Sequence, residues 1–240
     1  MSRSKNEVKE RIAQRYFEWD SESGQFKYYD HEEKKSVKVP LPFKFIPLDV
    51  LGTIKGFNDH LKCGVYSNEV KRVGEQELSV KTFKNGEFAK GLYKDIKGKI
   101  VANGGKYANS VYIAYKLGDE LVICNIQLTG AAMSSFIDYT KDHKDFMTNG
   151  GMQVNGYSNE KKGATKYTKP IFEFMETSKE TEKKAIELDI KLQDYLDKYF
   201  NASSKGESDA IVDDDNNEPP FDINDVPDEK LKEDDSDLPF

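Results

Sequence analysis

The chain carries few side chains of the kinds that enzymes use for nucleophilic or metal chemistry. Its 240 residues include three histidines and two cysteines. His60 and Cys63 lie three positions apart, as zinc ligands do, but no second pair of such residues accompanies them. Asp213, Asp214 and Asp215 are adjacent carboxylates, yet they lie in a segment whose composition predicts disorder, which would not hold two metal ions in a fixed geometry. We therefore expect no metal site.

Two glycine pairs also fail as phosphate-binding loops. Neither Gly104-Gly105 nor Gly150-Gly151 is followed by the Lys-Ser or Lys-Thr of a P-loop. The sequence thus predicts a protein without catalytic residues and without a cofactor. An enzyme such as a nuclease, with a site that the pattern does not reveal, is the more distant alternative.

Basic and aromatic side chains, by contrast, share segments in the way that single-stranded nucleic acid requires. Aromatic faces stack on bases while lysines bind the backbone phosphates. In the stretch 110–117, Tyr112 and Lys116 have the opposite parity to the apolar residues and should point away from the core. Lys81 and Phe83 share a parity, as do Lys97 and Lys99 in a strand predicted to begin near them. The candidate DNA-binding residues are Trp19, Lys81, Phe83, Lys97, Lys99, Lys106, Tyr107, Tyr112, Lys116, Lys161, Lys162, Lys166 and Tyr167.

Charge is distributed very unevenly along the chain. The net charge is −7, but the residues from Asn201 to the end hold fourteen acidic side chains against three lysines, a net of −11. The first 200 residues hold 33 basic against 29 acidic side chains, a net of +4. A mildly basic body with a strongly acidic tail is typical of proteins that contact nucleic acid and use the tail as a separate interaction element.

The elements that must position the candidate residues are mostly short β-strands. Residues 109–128 form the clearest hairpin, with its turn at Gly118-Asp119, and an aromatic hairpin is predicted at 16–30. Pro47 and Gly52 are expected bends in the strand 43–58. Further strands are predicted at 64–73, 77–86, 97–105 and 171–176, helices within 131–147 and at 178–200, the latter with Ser178 as N-cap, and a loop at 148–170. The pattern favours a mainly β fold with added helices, and an OB-like antiparallel barrel is the leading choice among small barrels.

Cysteine usage and hydropathy bear on where the protein acts. Cys63 and Cys124 are far apart and lie beside apolar residues, so a disulfide is not expected and a reducing, cytoplasmic location is. The N-terminal segment lacks the apolar region of a secretory signal. The longest apolar stretch, 121–128, is too short to span a bilayer.

The acidic tail ends in a way that a merely solubilising tail does not require. The last residues are Asp234-Asp235-Ser236-Asp237-Leu238-Pro239-Phe240. Phe240 presents an aromatic ring and the terminal carboxylate together, so an apolar pocket beside an Arg or Lys can bind both. We therefore expect a partner-binding tip formed by Asp234, Asp235, Asp237, Leu238, Pro239 and Phe240.

This tip closely resembles the C-terminal tip of bacterial and phage single-stranded DNA-binding proteins, which pairs several Asp residues with a hydrophobe, Pro and a terminal Phe. The segment 218–227, EPPFDINDVP, looks like a second such element. The resemblance implies a protein that binds and protects single-stranded DNA in replication, recombination or repair, in a bacterial cytoplasm if phage-encoded, and that recruits partner enzymes through its tip. A recombination mediator or annealing protein with the same tail is the alternative.

These observations divide the chain into two parts. Residues 1–200 are predicted to form the DNA-binding domain, including the N-terminal hairpin and the helix at 178–200, and residues 201–240 a disordered acidic tail. The apolar stripe of that helix fits either packing on the barrel or pairing with a second copy, so a homo-oligomer is possible on this pattern. No membrane partner is expected.

Deleting Phe240 should abolish capture of replication and repair enzymes but leave DNA affinity nearly unchanged, because the tail keeps its charge. The measurement is capture from a replication extract by residues 229–240 fused to an inert carrier. The matched control is the same fusion with Phe240→Ala. Equal capture by the two fusions would show that the tip is not a docking element.

Overall fold

The computed structural model describes residues 11–148 and 150–204. It shows eleven strands and three helices in this part of the chain. The strands are β1 Tyr16–Asp20, β2 Gln25–Asp30, β3 Lys35–Val39, β4 Phe43–Asn58, β5 Cys63–Ser67, β6 Leu78–Thr82, β7 Gly86–Gly91, β8 Gly105–Leu117, β9 Glu120–Leu128, β10 Gly151–Lys162 and β11 Thr165–Met175. The helices are α1 Tyr93–Ala102, α2 Gly130–Asp142 and α3 Lys179–Ser204.

The prediction of a mainly β fold with added helices is confirmed. Nine strands follow one another in the order β3-β2-β1-β9-β8-β4-β5-β6-β7, and the hairpin β10–β11 joins through β4. The sheet is mixed, because β1 runs parallel to β9 while the other pairs are antiparallel. Within the described residues the sheet does not close into a barrel, so the expected antiparallel closure is not what these strands form.

The long strand β4 links the parts of this sheet. Residues 43–45 pair with β10, residues 46–56 pair with β8, and residues 55–58 pair with β5. The register with β8 shifts between Pro47 and Asp49, at one of the predicted bend points. Proline cannot donate to a sheet ladder, so a bulge at this position lets one strand bend and serve three neighbours.

Both faces of the central strands are buried. Val111 and Ile113 of β8 face an aromatic core with Phe17, Phe43 and α2. Residues of the other parity face a second core, in which Ala185, Leu192 and Leu196 of α3 pack on the sheet. A third core forms beneath α1 and includes Tyr93, Ile96, Ile100, Ile54, Val65 and Val80. Each helix therefore buries one apolar stripe against its own part of the sheet.

Two predicted elements are wrong. Residues 97–105, expected as a strand, lie largely in helix α1, because Tyr93, Ile96 and Ile100 recur at helical spacing and are buried together. The expected loop at 148–170 is mostly the hairpin β10–β11. Its tip turns at Gly163, which adopts a φ of 62°. Polar side chains on both faces of this hairpin hide the alternation that normally predicts strands.

The predicted hairpins, helices and helix cap are present in the structure. The hairpins β1–β2 and β8–β9 form, and helices occupy both predicted regions. Ser178 caps α3, since its Oγ accepts the amide hydrogen of Thr181 at 3.1 Å. Cys63 and Cys124 are buried and not linked by a disulfide. Across the described residues, none of the helices combines the length and apolar character needed to cross a membrane.

A polar network lies between the sheet and the C-terminal half of α3. The Glu69 carboxylate accepts hydrogen bonds from Ser110 Oγ and, at 2.9 Å, from Tyr112 Oη. Asn125 Nδ2 donates to Ser110 Oγ at 2.7 Å. On the helix side, Tyr199 Oη accepts the Glu69 amide hydrogen at 2.9 Å. Burial raises the pKa of the Glu69 carboxyl, and the nearby Asp49 carboxylate adds to the rise.

The raised pKa of Glu69 makes a prediction about stability and pH. The folded protein keeps the Glu69 proton at a higher pH than the unfolded chain, in which the pKa of glutamate is about 4.3. The free energy of unfolding should therefore fall as pH rises from that value through the raised pKa. Urea unfolding across this range should show less of this decline in Glu69→Gln. The control is Glu75→Gln, which removes an exposed carboxylate paired with Arg72 and should keep the wild-type dependence. Identical profiles for Glu69→Gln and wild type would contradict the assignment.

Candidate nucleic-acid interface

One face of the sheet changes character along its strands. On β4, Leu51 lies under α3 in the second core, whereas Lys55 and Phe57, on the same face further along, are half-buried. Helix α3 therefore covers only part of this face. We call the remainder the open face. It is formed by the C-terminal end of β4 and the N-terminal end of β8, together with β5, β6, β1 and β2.

A row of basic and aromatic side chains crosses the open face at right angles to the strands. Lys55 on β4 lies opposite Lys106 of β8 on one side and opposite Tyr66 of β5 on the other. Tyr66 in turn lies opposite Lys81 of β6. Adjacent strands are about 4.8 Å apart, so the four residues of this lysine–tyrosine row span about 14 Å.

An aromatic pair stands beside the row. The Phe83 ring lies 4.7 Å from the Tyr66 ring, centroid to centroid, with 39° between their planes. The Phe83 ring rests over Gly64, where a Cβ would come within 2.7 Å of it. Phe57 is the cross-strand partner of Gly64. The glycine thus lets an aromatic ring lie against the strand backbone on the open face, next to the lysines.

The open face is concave along one diagonal. Strands β1 and β4 are separated by β9 and β8, which would place them about 14 Å apart in a flat sheet. Glu18 is also offset from Lys55 by four residues, about 13 Å, along the strands, because it lies across from Gln127, Ser110 and Leu51 in turn. Lys55 Nζ nevertheless lies 2.6 Å from Glu18 Oε2, a distance that the two side chains could not span across a flat sheet. The strong twist of sheets produces such curvature. A surface of this shape can contact a flexible polyanion along its length.

Three of the candidate residues come together on the open face. Lys81 and Lys106 belong to the lysine–tyrosine row, and Phe83 forms the aromatic pair. Lys81 and Phe83 are half-buried and Lys106 is exposed. The shared parity of Lys81 and Phe83, read from the sequence, is therefore consistent with one surface, and the DNA contacts of all three residues stay a prediction.

The expectation that Tyr112 points away from the core is wrong. Its parity is opposite to that of Val111 and Ile113, as predicted, but α3 covers that face, and Tyr112 is 3% exposed. Its hydroxyl donates to Glu69, and burial raises its pKa well above the ordinary value for tyrosine. A side chain in this position is not available for base stacking.

Tyr107 does not share the open face with Lys106. It lies in β8, on the opposite side of the sheet from Lys106, with its ring 5.5 Å from that of Tyr93. Burial raises the pKa of its hydroxyl. Lys97 and Lys99 lie on α1, which packs on that same opposite side. These three residues are thus separated from the open face by the sheet itself.

Trp19 anchors the β10–β11 hairpin. Its indole Nε1 donates to the Thr168 carbonyl oxygen at 3.1 Å and contacts Thr168 Oγ1 at 3.2 Å. The Thr168 amide and hydroxyl both donate to the Ser21 carbonyl at 2.9 Å. The Trp19 ring packs edge-to-face on Phe26, 5.0 Å away. Its described contacts are therefore structural.

The remaining lysines of the prediction lie at two other places. Lys161, Lys162, Lys166 and Tyr167 occupy the end of the β10–β11 hairpin beyond Thr168, where the three lysines are exposed. Lys116 is exposed, as its parity predicted, but it lies ten residues from Lys106 along β8, about 33 Å away. Neither group belongs to the row.

A groove of about 340 Å³ between α2 and β11 has the wrong charge for a nucleic acid. Asp138, Asp142 and Glu160 line it, and its one lysine, Lys169, is paired with Asp138 at 3.1 Å. Among the described residues, no three His, Cys, Asp or Glu side chains are arranged to hold a metal ion.

Sequence reasoning missed Lys55, Phe57 and Tyr66. Each lies in a predicted strand, but their alignment depends on the register of β4 with β5 and β8. Register arises from contacts between distant segments, and no local pattern encodes it. Residues 201–204 of the predicted tail belong to helix α3, and residues 205–240, with the tip residues 234–240, lie outside the described residues.

Comparison of the chain with protein-family models, with curated proteins and with solved structures finds no match.

Proposed function

We propose that this protein binds single-stranded DNA, largely without sequence specificity, on the open face of its sheet. The observation that carries the proposal is the alignment of Lys106, Lys55, Tyr66 and Lys81 across four neighbouring strands, with Phe83 against Tyr66. Lysines spaced along a groove bind phosphates, and aromatic faces beside them stack on bases. This combination accepts any base, because every base has a face that stacks.

The same arrangement favours single strands over duplex. Bases reach Tyr66 and Phe83 only when they are unpaired, since the bases of a duplex are stacked on one another. The open face is also built from strands, whereas readout of a duplex in the major groove commonly uses an inserted helix.

We further propose that the fold is a divergent, open variant of the OB-like barrel. In support, β4 is a long strand that bends at a bulge and pairs with β10, β8 and β5 in turn. A bent strand shared between two parts of a sheet is how small partly open barrels turn their corners. The aromatic core fills the space that this bending creates.

The acidic tail completes the proposal. Its terminal sequence supports recruitment of replication, recombination and repair enzymes, while the basic open face holds DNA. One protein would then coat a single strand and deliver enzymes to it, each of which would bind the terminal residues of the tail in turn.

Substitution of the aromatic pair tests the open face. Tyr66→Ala or Phe83→Ala should each weaken binding of a fifty-base oligonucleotide by roughly 1–3 kcal/mol, about 5- to 150-fold, because each removes a stacking surface. The measurement is a fluorescence anisotropy titration. Phe174→Ala is the control, since Phe174 is 45% exposed on β11 outside the open face, and it should bind as wild type does.

The assay also tests the proposal as a whole. Wild-type protein should bind the oligonucleotide far more tightly than its duplex at moderate salt, and log affinity should fall by about 0.7 per phosphate contact for each decade of salt. Equal affinity for the duplex would overturn the single-strand proposal. Equal losses of DNA affinity in Tyr66→Ala and Phe174→Ala would show that the interface is not the open face.

Truncation after Phe200 tests the electrostatic role of the tail. The removed residues carry a net charge of −11 against +4 for the rest, so they compete with DNA for the basic body. The truncated protein should bind the oligonucleotide more tightly than the full chain, most clearly at low salt, where screening is weakest. Unchanged affinity across a salt series would show that the tail does not compete.

A further inference from the structure

We propose that Glu18 sets the affinity of the open face for DNA by pairing with Lys55 and Lys27 in the unliganded protein and releasing them to backbone phosphates when a strand binds. This inference rests on the proposed function. It identifies a residue whose removal should strengthen binding, whereas substitutions in the lysine–tyrosine row should weaken it.

The geometry places Glu18 between two lysines from different strands. Its Oε2 lies 2.6 Å from Lys55 Nζ, and its Oε1 lies 3.6 Å from Lys27 Nζ. The Glu18 side chain is 24% exposed, and those of Lys55 and Lys27 are 16% and 12% exposed. One carboxylate thus contacts two partly buried ammonium groups at the edge of the open face.

The position of Lys55 makes this pairing matter for a polyanion. Lys55 is the central lysine of the row, directly between Lys106 and Tyr66. By pairing with Lys55, Glu18 reduces the positive charge at the middle of the row. Lys106 and Lys81 lie on either side of this position. A phosphate that reaches the middle of the row must compete with a carboxylate already in place.

Glu18 also relieves a repulsion that the sheet creates. Lys55 and Lys106 are cross-strand partners, and like charges placed directly opposite each other are destabilising. The Glu18 carboxylate offsets this repulsion in the absence of a ligand, and a DNA phosphate can offset it when a strand is bound. When DNA binds, a phosphate therefore replaces the Glu18 carboxylate as the anion beside Lys55.

The packing and the strand pairing of β1 do not involve the carboxylate of Glu18. Phe17 on the opposite face enters the aromatic core, and the backbone of β1 pairs with β2 and β9. A glutamine at this position keeps the size and polarity of the side chain and removes only its charge. Glu18→Gln therefore tests the effect of the Glu18 charge directly.

The experiment titrates a fluorescent oligothymidylate with full-length wild type and Glu18→Gln over a salt series. The variant should bind several-fold more tightly at low salt. Its log–log salt slope should be steeper by up to about 1.4, which corresponds to two more phosphates at about 0.7 each. The control is Glu180→Gln, which breaks the 3.1 Å pair with Lys184 on α3 and changes the net charge of the protein equally.

A second pair of variants keeps the test independent of folding. Lys55→Gln should weaken binding, and adding Glu18→Gln to it should give a much smaller gain than in the wild type, because the two residues act through each other. Thermal unfolding of every variant identifies a loss of folded protein. Should Glu18→Gln fail to fold, Glu18→Asp keeps the charge but shortens the reach to Lys55, and it should give a smaller gain in affinity.

The outcomes separate the two proposals. If wild type does not bind the oligonucleotide, the proposed function fails. If wild type binds but folded Glu18→Gln matches Glu180→Gln in affinity and slope, the role of Glu18 is overturned and DNA binding stands. A loss of affinity in folded Glu18→Gln would also overturn it, because Glu18 would then position Lys55 and not withhold it.

Discussion

The pairing of β4 with β8 is the constraint on which the other features depend. Their register runs from Ile46 opposite Ala114 to Gly56 opposite Gly105, with one bulge near Pro47. Because side chains alternate between faces, this register assigns every residue of both strands to a side. On one side the residues form the aromatic core, and on the other they form first the core beneath α3 and then the lysine–tyrosine row. A shift by one residue would bury Lys55 and expose Ile54.

Local patterns in the sequence predicted the elements that carry their own signals. The β8–β9 hairpin has alternating apolar residues and a Gly-Asp turn, and α3 begins at a side-chain cap, so both could be predicted from short segments. Helix α1 was missed because its short, lysine-rich sequence buries only one narrow stripe. The β10–β11 hairpin was missed because its outer half is exposed on both faces and needs no apolar alternation.

The candidate interface could be predicted only in part, and for a specific reason. Parity correctly predicted that Lys81 and Phe83 lie on the same face of the sheet, and that Tyr112 and Val111 lie on opposite faces. Parity says which side of a sheet a residue faces, but it does not say whether something covers that side. Tyr112 and Lys55 face the same side, and α3 lies over one and not the other. Which half of a face is covered depends on where α3, a helix far later in the chain, docks.

The docking of α3 also places the end of the described part of the chain near the open face. Tyr199 accepts the amide hydrogen of Glu69, three residues after Tyr66 of the row, and Lys71 Nζ lies 5.1 Å from the centre of the Phe200 ring. The C-terminal part of α3 therefore lies beside β5, at the margin of the open face. An anionic segment attached there has a high effective concentration near the lysines, since its origin is only a few residues away from them. Under the proposed function, DNA would displace two sets of carboxylates from the row: that of Glu18, which belongs to the sheet, and those of the acidic segment that follows α3 in the sequence. Both would lower the affinity for DNA, but only Glu18 is positioned by the pairing of the strands.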